Sequence, residues 1–178
     1  MAVRRVVTGH TKEGFSCIEA DGPSNQISVF SSVPGFKAEL LWATDSPPNL
    51  PMPAGSPKAI TPSWLPGVGE SRLMVVTFPP DSVMMSPTFD GQAAGMEYME
   101  KLPGLAEKFE IDHPGMHTTE TVDYGVLLSG QLWLELDNNS TTHLKRGDTY
   151  VLNGARHAWR NKSDQPAELF VVLMGAKR

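Results

Sequence analysis

Three side chains in the last third of the chain have the types and spacing that chemistry needs: His117, Asp123 and His157. Histidine is scarce in the 178 residues, with only His10, His113 and His143 besides these two. His117 and Asp123 are both odd-numbered across one extended stretch, with Thr119 and Thr121 between them. A side-chain period of two puts all four on one face. His157 follows the turn pair Asn153-Gly154 and opens a later strand. Two imidazoles and a carboxylate converging inside a barrel can hold a divalent metal with open positions. They can equally move protons, because an imidazole near pKa 6.5 oriented by a carboxylate is a general base close to neutrality. The plainer reading is a set of hydrogen-bonded polar groups in a core, a role histidines fill without being catalytic.

The neighbours define what such a set can act on. Trp159 shares parity with His157 and is expected to line the same cavity. Arg156 and Arg160 flank that histidine, and a guanidinium can read a carboxylate or phenolate through two parallel bonds. Thr119 and Tyr124 are candidates to bind substrate and hold a developing oxyanion, although Tyr124 is even-numbered and alternation turns it outward. Glu120 is a substitute carboxylate of the wrong parity for a regular strand. His113, just before Pro114, reads as a loop entry. Trp133 falls opposite the leucines of its strand, as an exposed cap or a contact between copies. Trp42 and Trp64 are candidates for a lid over the mouth.

The elements that must position these groups are mostly short strands. In the second half the spacing predicts strands at 122–128, 132–136, 142–144, 149–152, 157–161 and 168–174. Between them stand Ser129-Gly130-Gln131, Asp137-Asn138-Asn139-Ser140, Lys145-Arg146-Gly147-Asp148 and Lys162-Ser163-Asp164-Gln165-Pro166. Strands at this density with such turns describe an antiparallel sandwich or small barrel. The first half adds strand candidates at 4–8, 16–19, 26–30, 38–42 and 72–78. It also holds 12 of the 15 prolines. Between Pro47 and Pro80 they are too dense for helix or central strand, so this span is expected to be an ordered arm covering the barrel, with Ile60, Trp64 and Leu65 buried. One helical piece is predicted between Gln92 and Phe109, broken at Pro103, with Met96, Met99, Leu102 and Leu105 as its packing stripe.

Composition removes several functions. A net charge of −5 leaves no basic face for nucleic acid or an anionic membrane. The single cysteine, Cys17, allows neither an internal disulfide nor a thiolate zinc cage. No apolar run reaches a signal peptide's core or the roughly 18 residues of a membrane span, so a cytoplasmic protein is expected and the three Asn-x-Ser/Thr triplets are chance. No glycine fingerprint or phosphate loop is present.

Residues Gly115 to Asn161 resemble a cupin domain. The first cupin motif is matched by Gly115, His117, Thr119, Asp123 and Gly130. The second is matched by Gly147-Asp148, Asn153-Gly154, His157 and Asn161, one residue short and with Leu152 where proline usually stands. The resemblance is strong over roughly the last 65 residues. With the Arg4–His10 opening it points to single-domain cupins of the RmlC-like jelly-roll type, found among bacterial and fungal proteins, some beside natural-product pathways. It implies an all-β double-stranded β-helix barrel with an irregular proline-rich N-terminal arm and one short helical segment. Residues 1–90 would form strands and arm, 91–110 the helical segment and 111–178 the barrel core, in one domain.

Carried over position by position, His117 and His157 stand at cupin histidine ligands, Asp123 at the glutamate, and Thr119 at the second histidine. Threonine is a poor transition-metal ligand, so the resemblance permits Fe, Mn, Ni or Zn on His117, Asp123 and His157 without requiring it. The preferred expectation needs no cofactor. It is a lyase (dehydratase), isomerase or decarboxylase acting on a carbonyl-bearing, polyketide-like small molecule by acid–base chemistry at those three residues. The alternatives are an iron-dependent dioxygenase or other oxidoreductase, and a non-enzymatic ligand-binding barrel. The expected partners are a small-molecule substrate and a second copy of the chain in a homodimer, with no nucleic acid and no membrane.

Overall fold

The computed structural model describes residues 2–24, 26–44, 48–51 and 63–178. Eleven strands are seen among them: β1 (Arg4–His10), β2 (Ser16–Pro23), β3 (Ile27–Val29), β4 (Lys37–Thr44), β5 (Ser71–Phe78), β6 (Thr121–Ser129), β7 (Gln131–Glu135), β8 (Thr141–Lys145), β9 (Thr149–Asn153), β10 (Ala158–Arg160) and β11 (Ala167–Gly175). One helix, α1 (Gly91–Lys101), lies between β5 and β6. The strands predicted from sequence match these to within a few residues. No helix among the described residues is long and apolar enough to cross a membrane.

Two sheets build the barrel. One has six strands in the order β3-β4-β5-β11-β6-β9, the other three in the order β10-β7-β8. All pairings within them are antiparallel. Leu127 and Leu169 from the large sheet meet Leu132 and Leu144 from the small one, all nearly or fully buried. This leucine seam closes one end of the interior. The other end is filled by an aromatic cluster in which Phe30, Phe36, Tyr98 and Phe109 pack ring to ring at centroid distances of 5.0–5.7 Å. The fold is therefore an all-β jelly roll capped at one end by α1 and its trailing turn.

The barrel is not confined to the second half of the chain. β3 pairs with β4, β4 with β5 and β5 with β11, so residues from 27 onward supply part of the large sheet. β1 and β2 form a separate hairpin, tied at its root by Val3 N–H donating to Glu39 and Arg5 donating to the Leu41 carbonyl. Of the expected arm, residues 47 and 52–62 lie outside the described residues, Pro47, Pro53, Pro57, Ile60 and Pro62 among them. Trp64, described, is wholly buried in the main core, so it is a core residue and not a lid.

The helix corrects its predicted stripe. Met96 and Met99 are 62% and 50% exposed, while Ala94 and Glu97 are the buried residues of α1; Leu102 and Leu105, the rest of the stripe, do pack in or against the main core. The apolar spacing was real, but the buried face is chosen by Glu97. Its carboxylate accepts from the Ser31 and Ser32 amides and from Lys101, and so turns the 94–97–101 side inward. Asp90 starts the helix by accepting from the amides of Gln92 and Ala93.

Candidate active site

The two pocket histidines meet through the backbone first. His117 and His157 exchange amide-to-carbonyl hydrogen bonds, each 2.9 Å. Their rings then lie 4.3 Å apart, centroid to centroid. Each ring has a defined tautomer. Nδ1 of His117 lies 3.0 Å from the Gly115 carbonyl, and Nδ1 of His157 lies 2.9 Å from that of Ala155. A carbonyl can only accept, so each Nδ1 carries the proton and each Nε2 keeps its basic lone pair. Burial pushes both imidazoles below their ordinary pKa, His157 to about 4 with a further push from His117. In His117 burial is opposed by the Gly115 carbonyl and by the charge of Glu110. At neutral pH the pair is uncharged.

The odd-numbered residues leading into β6 face inward. Thr119, Thr121 and Asp123 are 3–5% exposed. The two threonine hydroxyls lie 2.8 Å apart and hydrogen-bond each other. Oδ1 of Asp123 is buried and has no partner among the described residues. Burial accordingly lifts the carboxyl to about 6, against the lowering effect of Thr121. Among the described residues backbone carbonyls, and not Asp123, orient the two imidazoles.

The remaining predicted residues divide. Trp159 is inside, edge-on to His157 at 6.2 Å and to Tyr150 at 4.9 Å. Tyr124 is 51% exposed on the outer face beside Val151, because alternation sends it away from Asp123. The inward tyrosine is Tyr150, opposite Gly125 in the β6–β9 ladder. Its ring lies over that glycine so closely that a Cβ there would stand 2.3 Å from it. The ring is shielded from water and beside the Asp123 charge, and both effects push its phenol pKa up. A glycine inside an apolar strand signals such a close approach, so Gly125 marked the place, although not that Tyr150 fills it. Phe109, edge-on to His117 at 5.0 Å, was also missed as a site residue.

Glu120 is exposed and points away from the set. His113 is exposed in the loop before His117. Arg160 donates to Glu135 and to the Pro114 carbonyl on the outer side. Arg156 is gripped by Glu110 and Asp137. Asn161, the end of the second motif, is a clasp: its amide donates to the carbonyls of Phe78 and Gln165, tying the 161–165 turn to β5.

The donor set is short of a metal centre. Among the described residues no three His, Cys, Asp or Glu side chains converge closely enough to hold an ion. The imidazole pair is held by backbone carbonyls, and no carboxylate joins it as a third ligand among the described residues. A separate surface cleft of about 330 Å³ lies between Leu65, Pro66, Lys108 and Glu120, and reaches the barrel residues only at Thr121.

A jelly-roll barrel with an imidazole pair and a buried carboxyl inside defines the class. Residues 107–173 match the family model described as Cupin domain. Over that stretch the chain is similar to cupin proteins. It is 52% identical over 67 residues to phomopsin biosynthesis cluster protein C' of Diaporthe leptostromiformis, covering 35% of each chain. It is 40% identical over 82 residues to oryzines biosynthesis cluster protein J of Aspergillus oryzae, covering 43% of this chain and 46% of that one. The cupin-domain-containing oxidoreductase virC of Hypocrea virens is 29% identical over 65 residues, 35% of this chain and 34% of that one. The matched stretch thus spans under half the length of these relatives. A putative ethanolamine utilization protein Q from Salmonella typhimurium shares 11% identity and a TM-score of 0.45 over 99% of both chains, and nothing below rests on it.

Proposed function

We propose that this chain is a small-molecule biosynthetic enzyme that works by proton transfer, removing water from, isomerising or decarboxylating a carbonyl-bearing substrate. One observation carries the reading: the interior holds two uncharged imidazoles, each with Nδ1–H fixed on a backbone carbonyl and Nε2 left basic, and the inward face of β6 carries a buried carboxyl whose pKa is lifted to about 6. Buried titratable groups with environments this different are how one site supplies both a base and an acid near neutrality.

Elimination of water shows the division of labour. Nε2 of His117 takes the proton next to the carbonyl, and the electron pair moves into the enolate. The enolate then expels the β-hydroxyl, which leaves as water with the proton of Asp123. Imidazolium and aspartate remain, and transfer of one proton between them resets the site. His117 is the better base of the pair, because Glu110 and the Gly115 carbonyl favour its protonated form. Tyr150 and Trp159 exclude water beside the acid. Biosynthetic-cluster relatives support the small-molecule setting. The oxidoreductase name of a further relative favours a second reading, metal-dependent oxidation at the same histidines.

The test is 4-hydroxybutan-2-one in D₂O followed by NMR, with metal content measured on protein purified without chelator. The wild type is expected to exchange the α-protons and release water, and His117→Ala to lose exchange by about 100-fold or more. Full exchange in folded His117→Ala, or stoichiometric metal whose removal abolishes turnover, overturns the reading.

A further inference from the structure

Arg156 stands immediately before His157, at the rim of the site. Its Nε and Nη2 donate in parallel to the two oxygens of Glu110, at 2.7 and 2.6 Å. Nη1 on the other edge donates to Asp137 at 2.7 Å. This is the two-pronged geometry by which arginine reads a carboxylate. The pair is open to solvent, with 28% of the Arg156 side chain and 33% of the Glu110 side chain exposed. Solvent reaches both partners, so another carboxylate can compete with Glu110 for the fork and replace one bidentate pair by an equivalent one in an even exchange.

The position of Glu110 gives the exchange a consequence. Phe109 bridges His117 through the backbone, the Glu110 amide donates to the Met116 carbonyl, and the Phe109 ring sits edge-on against the His117 ring. Residues 109–117 therefore form a flap over the imidazole pair, with Ile111 at its tip 96% exposed. Arg160 holds the Pro114 carbonyl on the far arm. Arg156 holds the near arm through Glu110 alone. Asp137, meanwhile, keeps the guanidinium in place when Glu110 leaves.

We propose that Glu110 is a built-in occupant of a carboxylate site on Arg156, and that a substrate carboxylate displaces it and frees the near arm of the flap over His117. The substrate class this names, a carbonyl compound that also carries a carboxylate, rests on the imidazole pair being the reaction centre. The binding site itself does not, and it can be tested without turnover.

The probe is pyruvate, with methyl pyruvate as its uncharged counterpart, titrated calorimetrically into the wild type, Glu110→Gln, and Glu110→Gln/Arg156→Gln. Amide exchange of Phe109 to His117 is followed in parallel. Glu110→Gln is expected to bind pyruvate at least tenfold more tightly than the wild type and methyl pyruvate no better. The added Arg156→Gln should erase the gain. The Glu110 and His117 amides should exchange faster in Glu110→Gln, and in the wild type when pyruvate is present. The proposal is overturned by no gain, by an equal gain for methyl pyruvate, by a gain that survives loss of Arg156, or by no pyruvate binding in any variant. Failure of the acid–base reading appears instead as undiminished α-proton exchange in His117→Ala, which leaves these binding results untouched.

Discussion

Glu97 on α1 and Asp123 on β6 are both buried carboxylates, and the protein treats them in opposite ways. Oε1 of Glu97 accepts from the Ser31 amide, the Ser31 hydroxyl and Lys101, at 2.9, 3.0 and 2.7 Å, and Oε2 accepts from the Ser32 amide at 2.7 Å. The Lys101 ammonium and these donors hold its carboxyl well below the usual range. Asp123 has an oxygen without a partner among the described residues, and burial lifts its carboxyl to about 6 against a lowering by the neighbouring Thr121. Burial is common to the two, so it does not mark function. What differs is how completely the burial is compensated: the satisfied carboxylate is a rivet, and the unsatisfied one is held ready to gain a proton.

The widest separation between them is in rate. Asp123→Asn should slow release of water from 4-hydroxybutan-2-one by about 100-fold or more, since the amide has no proton to give. It should leave α-proton exchange, which His117 drives, largely intact. Glu97→Gln should change neither. Equal losses of water release in the two variants would end the contrast.

Stability should show the reverse order. Glu97→Ala strips acceptors from two loop amides and a partner from Lys101, and is expected to cost about 2–3 kcal/mol. For a domain of this size that lowers Tm by roughly 4–10 °C. Asp123→Asn removes a poorly solvated charge and should raise Tm at pH 8, which thermal unfolding by circular dichroism reads directly. A smaller effect of the same kind concerns the wall that dries Asp123. Gly125→Ala drives a methyl into the Tyr150 ring and should cost about 1–2 kcal/mol, with Tyr150→Ala in the same chain relieving the clash. If the single and double variants unfold alike, Tyr150 does not pack over that glycine.

Much of this contrast was legible in the residue string, and the remainder failed for physical reasons. Period-two alternation placed Thr119, Thr121 and Asp123 on one face and sent Tyr124 outward. Turn chemistry bounded the strands, as at Gly130, whose positive φ of 74° and contact with Pro166 and Ala167 leave no room for a side chain. Tyr150 was missed because it is set by ladder register between β6 and β9, a pairing no local pattern states. The helix stripe held at Leu102 and Leu105 but was misassigned at Met96 and Met99, because periodicity counts apolar residues and here a polar one, Glu97, chose the buried face. The Arg156–Glu110 fork joins residues 46 apart, and nothing local to either announces it.

The smallest expected effect is also the most diagnostic of the barrel interior, because its two members bend stability in opposite directions with pH. The Asp123 carboxyl goes from an ordinary 3.8 to about 6 on folding. Between those values the folded state holds more proton than the unfolded chain, so stability falls as pH rises. His157 goes from 6.5 to about 4. Between those values the unfolded chain holds more proton, so stability rises with pH, and the lowered His117 adds in the same sense. The two slopes oppose each other from about pH 4 to 6. Asp123→Asn removes only the falling part, so its Tm should climb more steeply with pH than the wild type's across that range. His157→Asn should climb less steeply. Glu97 lies outside this window: its contribution is complete above its ordinary 4.5 and is lost only as pH falls toward its depressed folded value. A Glu97→Gln curve should therefore run parallel to the wild type above pH 5 and converge on it in stronger acid. If Asp123→Asn also ran parallel between pH 4 and 6, the carboxyl would not be strained by its burial, and the distinction between the two carboxylates would reduce to one of location.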